Sequence, residues 1–191
     1  TEVVVGIGPG PFTGLRVGIV TGRTFAFALD LPVRGLCSLD AIAHEAWLAG
    51  ARGGLLVATD ARRREVYAAH FALDPAGPVR LAGPVVGKAQ SLDRAWRDLP
   101  TAGRGGLLYP EALAHGVSQP SGIRPHDVSA GALADLAVRR LGSLAAGPGA
   151  VPPGGSRQHV HAGDGFDGLE PMYLRRPDTA PAVTSAKSVL G

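Results

Sequence analysis

Gly6-Ile-Gly-Pro-Gly-Pro-Phe-Thr-Gly-Leu-Arg-Val-Gly18 is the stretch on which the reading of this chain turns. It leaves the β-branched run Val3-Val4-Val5, passes a glycine/proline turn and enters a segment striped with glycine. Short apolar runs ended by Pro and Gly read as buried strands, and the spacing from Thr13 to about Leu29 predicts a helix with Thr13 as its N-cap. Gly14, Gly18, Gly22 and Ala26 recur every four residues, which places them along one nearly bare ridge. Glycine inside a helix costs roughly 1 kcal/mol relative to alanine, so three in one line require a compensating close contact. On the residues alone two readings stay open: a second polypeptide lies on the ridge, or the helix packs on its own sheet.

Working outward, Asp30-Leu-Pro32 breaks the helix and Val33 to Leu36 reads as a second strand. Ser38 is placed to cap a second helix whose apolar face is Leu39, Ile42, Ala43 and Ala46. His44 and Glu45 on that helix read as surface polarity. The chain opens inside a strand, so the expectation is that further N-terminal residues complete this first unit. After Gly50 to Gly54, Leu55 to Ala58 and Glu65 to Leu73 form a predicted hairpin, in which Tyr67, Ala69 and Phe71 alternate with Val66, Ala68 and His70. Val79 to Val86 adds a third strand, Ser91 to Trp96 a short capped helix, and Gly105 to Tyr109 a brief buried strand. Ser129 caps a longer helix to Ala146. Gly147 to Gly168, rich in Gly and Pro and without an apolar period, reads as a mobile insert. Leu169 to Pro177 returns to strand-like residues before a polar tail, 178–191. Two α/β units, about 1–50 and 55–177, fit this order.

Composition bounds the function. The 191 residues are 45% hydrophobic, enough to bury a core, and the 28 glycines and 16 prolines follow no period. Net charge is +3, and Lys88 and Lys187 are the only lysines, so arginine supplies 17 of the 19 basic residues. That usage suits phosphate recognition, although so small a net charge is a weak nucleic-acid signal. Cys37 is the sole cysteine, which excludes an internal disulfide and points to a reducing compartment, the cytoplasm. The longest apolar helix, Leu15 to Leu31, carries Arg16, Arg23 and Asp30 and is too polar to span a membrane.

No catalytic set emerges. Gly6-x-Gly8-x-Gly10 lacks the Gly-Lys-Ser/Thr of a phosphate loop, and Pro9 and Pro11 remove two amide donors, which favours a structural turn. Thr13 has no His/Asp pair at a spacing that would make it a nucleophile. Histidines 44, 70, 115, 126, 159 and 161 form no metal-binding spacing. Asp60-Ala-Arg62-Arg63-Arg64-Glu65 either holds a phosphate or a partner carboxylate or is a solvated turn, and Arg175-Arg176 offers the same two readings.

Four motifs in order, Gly8-Pro-Gly-Pro-Phe-Thr-Gly-Leu-Arg-Val-Gly18, Asp60-Ala-Arg-x-x-Glu65-Val-Tyr67, Tyr109-Pro-Glu111 and Pro171-Met-Tyr-Leu-Arg-Arg-Pro177, resemble the TsaB (YeaZ) family. The resemblance spans nearly the whole chain. It implies an actin/Hsp70-like (ASKHA) fold of two ribonuclease-H-like halves, the first half incomplete, because family members begin with a strand hairpin and a helix before the Gly-Pro-Gly motif.

The resemblance also implies a role. TsaB is the non-catalytic scaffold of the bacterial machinery that forms threonylcarbamoyladenosine beside the tRNA anticodon, while TsaD transfers threonylcarbamoyl from its adenylate and the ATPase TsaE joins the assembled pair. By that likeness the helix after the Gly-Pro-Gly motif meets TsaD or another TsaB through Thr13, Gly14, Arg16, Val17, Gly18, Thr21, Gly22, Phe25 and Ala26. Asp60, Arg62, Arg63 and Arg64 are the candidate phosphate or partner contacts. No cofactor or metal is expected on this chain; ATP and a divalent metal belong to the partner subunits, and tRNA is reached through the complex. Two rivals remain: an ASKHA-type nucleotide hydrolase or peptidase-like enzyme acting through Asp60, and a tRNA-binding module using Arg62 to Arg64 and Arg175-Arg176.

Overall fold

The computed structural model describes residues 1–114, 125–146 and 166–175. Strands β1 (Val3–Gly8) and β2 (Val33–Cys37) form a parallel pair joined by helix α1 (Phe12–Ala28). Helix α2 (Ser38–Leu48) leads to a four-stranded sheet in the order β5-β4-β3-β6, made of β3 (Gly53–Asp60), β4 (Val66–Asp74), β5 (Gly77–Gly87) and β6 (Thr101–Ala102). β3 and β4 pair antiparallel from Gly53↔Leu73 to Asp60↔Val66, while β6 runs parallel to β3. Short helices α3 (Arg94–Arg97) and α4 (Gly105–Leu108) follow, and α5 (Ala130–Ala146) completes the set. No helix among the described residues is long and apolar enough to cross a membrane.

The alternation in β4 is realised as two differently covered faces. Ala69 and Phe71, flanked by Tyr67, join Leu55 and Val57 beneath α2, against Leu39, Ile42 and Trp47. Val66 and Ala68 turn the other way, onto Leu56, Ala58, Leu113 and the partly buried Trp96 and Tyr109. Helix α2 is enclosed, with nine of its eleven residues buried. Its second neighbour is α5, whose Leu133, Leu136 and Ala137 pack with Leu36, Ala41 and Phe166.

That enclosure corrects the reading of His44 as surface polarity. The imidazole is fully buried, its Nε2 lies 2.6 Å from Asp135 Oδ2 on α5, and its ring stacks on Trp47. Asp40 is buried on the same helix and meets Arg140 at 2.8 Å and Arg80 at 3.5 Å. Burial pushes its carboxyl above the usual carboxylate range, against the pull of the two guanidinium groups.

Four further expectations are corrected. Helix α1 begins at Phe12, not after a Thr13 cap: Pro11 holds the N-cap position and its carbonyl accepts the Leu15 N–H at 2.9 Å. Proline supplies a helix-compatible φ and has no N–H to leave unpaired there. Ser38 is the first residue of α2 rather than its cap; the Cys37 N–H donates to Asp167 Oδ2 at 2.9 Å, a carboxylate placed where the helix dipole favours it. The segment from Gly105 to Tyr109 is a helical turn, not a strand, and it packs so close to β3 that a Cβ on Gly105 would sit 2.6 Å from the Ala58 methyl. Leu169 to Arg175 forms no strand: the Gly35↔Asp167 bridge precedes it, Met172 N–H donates to the Ile7 carbonyl at 2.8 Å, and Pro171 has no donor with which to continue a ladder. Ser129 does cap α5, accepting from the Ala132 N–H. His115, His159, His161, Arg176, nearly all of the 147–168 insert and the 178–191 tail lie outside the described residues.

Candidate partner interface

Helix α1 lies on β1 by one stripe. Leu15, Ile19, Gly22 and Ala26 are spaced by four, three and four residues and face the sheet, where Ile19 joins Val5 and Ile7. Gly22 is there for lack of space: a Cβ would run into Val5 Cγ1. Gly14 and Gly18 have nothing within 4 Å of the Cβ position. The four-residue ridge therefore divides. A spacing of four advances about 40° beyond a full turn, so from Gly14 to Ala26 the line rotates by roughly 120°. Its first half is open and its second half faces the sheet.

Of the nine helix residues singled out above, Thr13, Gly14, Arg16, Val17, Gly18, Thr21 and Phe25 are exposed, Gly22 is half-buried and Ala26 is buried. Gly14, Gly18, Thr21 and Phe25 repeat the four-three-four spacing on a second, outward stripe beside Val17. Val17, Val20 and Phe25 are each about 60% exposed, and Phe27 is 88% exposed. An apolar face of this extent on a helix is a mark of an interaction surface.

The first turn of α1 is braced from far along the chain. Arg16 Nε donates to the Tyr173 hydroxyl at 2.9 Å, the Phe12 and Tyr173 rings stand 4.8 Å apart, and the Arg16 guanidinium lies 4.4 Å from the Phe12 centroid. Nothing in the helix sequence signals Tyr173, whose role depends on the 166–175 segment returning to β1 and β2.

The second candidate group lies in the β3–β4 turn, near the start of α1. Asp60 accepts from the Arg62 N–H at 2.8 Å and pairs with its guanidinium at 3.1 Å. Arg62, Arg63 and Arg64 all have positive φ, and Arg175 pairs with Glu65. Asp60 and Arg62 share a cleft of about 290 Å³ with Pro9, Gly10, Ser38 and Arg104. Sequence reasoning missed Arg104, whose guanidinium grips Asp127 by two contacts of 2.7 Å and holds that carboxyl below its usual range. Among the described residues no group of three His, Cys, Asp or Glu side chains is placed to hold a metal ion.

A family model described as TsaD, tRNA N6-adenosine threonylcarbamoyltransferase, matches residues 1–92. An uncharacterized protein of Mycobacterium tuberculosis is 37% identical over 179 residues, 94% of this chain and 66% of its own length. The tRNA threonylcarbamoyladenosine biosynthesis protein TsaB of Escherichia coli is 40% identical over 72 residues, 38% of this chain and 31% of its own. The solved structure of YeaZ from Pseudomonas aeruginosa superposes with a TM-score of 0.59 at 27% identity, covering 73% of this chain and 66% of that one. The chain spans between 23% and 66% of the length of the mycobacterial relatives it matches.

Proposed function

We propose, from the premise that this chain is a homologue of the TsaB (YeaZ) proteins, that it is a non-catalytic scaffold subunit in the formation of threonylcarbamoyladenosine in tRNA. It binds and supports a TsaD-type transferase through the outward face of α1. Threonylcarbamoyl transfer, ATP and a divalent metal belong to partner subunits, a TsaE-type ATPase joins the assembled pair, and tRNA is engaged through the complex. The chain itself carries no cofactor, a second copy is the alternative occupant of the same helix face, and the assembly works in the cytoplasm. The fold is read as two ribonuclease-H-like halves of the ASKHA type, 1–50 and 55–177, the first of them incomplete.

The observation that carries this reading is the outward stripe of α1. Thr13, Gly14, Arg16, Val17, Gly18, Thr21 and Phe25 are accessible, and the glycines there carry no load from the chain's own packing. Gly22 and Ala26 serve the opposite face, supporting the helix rather than meeting the partner. A bare glycine flank admits a second helix at close range, where backbone contact and the apolar side chains at its margin both contribute.

Gly18→Leu tests it. The leucine has room in the free chain, so the far-ultraviolet circular dichroism is expected to match wild type, while co-elution with TsaD on a sizing column is lost. Undiminished complex formation by this variant, and by Val17→Asp beside it, removes α1 from the interface.

A further inference from the structure

Met172 is the only methionine of the sequence, and with Cys37 it accounts for all of its sulfur. Its side chain is half-buried and packs against two hydrophobic clusters at once: Val5, Ile7 and Ile19, where α1 meets β1, and Leu39, Ile42 and Trp47, where α2 meets the larger sheet. No other described residue belongs to both clusters. An unbranched thioether suits such a seam, because it adapts to the irregular gap left between two separately built layers. The backbone is tied there as well, through the Met172 N–H and the Ile7 carbonyl at 2.8 Å. The next residue is Tyr173, which holds Arg16 and Phe12 in the first turn of α1.

The thioether can be reached from solvent. Met172 lines an open cleft of about 310 Å³ with Gly10, Phe12, Arg62 and Tyr173. Cys37, by contrast, is fully buried. Susceptibility of sulfur to oxidation follows exposure, so a small oxidant such as hydrogen peroxide meets Met172 first. In that reaction a sulfur lone pair attacks one peroxide oxygen, the O–O bond breaks and an S–O bond forms. The proton on the transferred oxygen passes to the departing hydroxide, which leaves as water; sulfur is oxidised by two electrons and the peroxide is reduced by two. The product is a polar, chiral sulfoxide. Its oxygen is a strong acceptor that finds only hydrocarbon among Val5, Ile7, Ile19, Leu39 and Ile42, so it is held in the seam at a cost or turns out into the cleft and takes the side chain with it.

We propose that Met172 is an oxidant-sensitive modification site: conversion to its sulfoxide by hydrogen peroxide loosens the seam, releases the Tyr173 brace on α1 and so weakens docking of the partner. The last of these effects rests on the scaffold reading; the first two do not.

The test treats the full chain with hydrogen peroxide and follows it by peptide mass spectrometry. Met172 is expected to gain one oxygen while Cys37 stays reduced and the protein stays folded. The oxidised chain is expected to melt about 4–8 °C lower, the scale for one unpaired polar group buried in a chain of this size. Amide exchange is expected to quicken in residues 166–175 and in the first turn of α1. Methionine sulfoxide reductases of both epimer specificities are expected to reverse both changes, a control that needs no variant. Titrated against a TsaD-type partner, the oxidised chain is expected to bind about tenfold more weakly. Met172→Leu, which nearly conserves volume, is expected to keep its melting temperature and partner affinity through peroxide treatment. Oxidation of Met172 only after unfolding overturns the inference. So does a sulfoxide form with unchanged melting and exchange, one that binds the partner as tightly as the reduced chain, or an equal peroxide response in Met172→Leu. A reduced wild-type chain that fails to bind the partner defeats the scaffold reading instead, and the melting, exchange and repair results then decide the modification site by themselves.

Discussion

The division of the α1 ridge can be measured by placing one methyl group at two glycines a single turn apart. At Gly18 the Cβ position is empty, and the residue lies inside a 17-residue helix, so Gly18→Ala removes the helical cost of glycine and adds no contact. The expected gain is about 0.8–1 kcal/mol. Gly22→Ala makes the same backbone gain but drives its methyl into Val5 Cγ1, on a β-branched, buried side chain that is stiff at χ1. Overpacking of this kind costs about 1–3 kcal/mol. Because the propensity gain is common to both variants, their difference isolates the packing term. Taking about 2 kcal/mol as its centre, and about 2–4 °C in Tm per kcal/mol for a chain of this size, Gly18→Ala is expected to melt roughly 4–8 °C above Gly22→Ala. Thermal melts followed by circular dichroism on the two variants and wild type suffice, with Gly14→Ala as a second outward control. A Gly22→Ala protein as stable as Gly18→Ala would show that the two glycines do not face different ways, and the interface argument would fall with that distinction.

Other consequences follow from the buried polar groups. Removing Arg140 from Asp40 by Arg140→Met is expected to cost about 2 kcal/mol near neutral pH. Burial already raises the Asp40 pKa, so its contribution is present below the unfolded carboxylate range and lost as pH rises through the folded value; the penalty in urea titrations should shrink toward pH 4, and a pH-independent penalty would refute the pairing. Asp135 has the opposite sign: its hydrogen bond from His44, and then Arg139, holds its carboxyl low, so it stabilises above the unfolded carboxylate pKa and loses that effect as pH falls through the folded one. With nearly half of its side chain exposed, solvent screening limits the gain to about 0.5–1 kcal/mol, and Asp135→Asn is expected to flatten the acid limb of stability by that amount. Cys37 is buried, which pushes its thiol up to about 12, so native protein at pH 8 should react with a thiol reagent far more slowly than protein in denaturant. Equal rates would contradict its burial.

The elements whose signal is local were legible in the sequence. The β3–β4–β5 meander follows from alternation and turn residues, and its two faces are those that Tyr67, Ala69 and Phe71 against Val66 and Ala68 define. The existence of α1 is legible, and of the nine residues assigned to its outward face seven are exposed. Gly22 and Ala26 leave that face because a repeat of four is not parallel to the helix axis: its drift of about 40° per step carries it onto the sheet within three steps. The capping errors share one cause. A side-chain cap was expected wherever Ser or Thr stood near a helix start, yet Pro11 and the distant Asp167 supply what those termini need. The burial of His44 is not legible locally, because its partner Asp135 stands 91 residues away and no pattern in α2 alone marks a face that α5 covers.

Asp167 fastens the N-terminus of α2 from 130 positions downstream, and its neighbours Met172 and Tyr173 reach β1 and the first turn of α1. The surface that would greet a partner is thus finished by some of the last of the described residues to leave the ribosome. Under the proposed function, a nascent chain halted before Phe166 would present α1 without the Tyr173 brace on its first turn and would compete poorly for a partner.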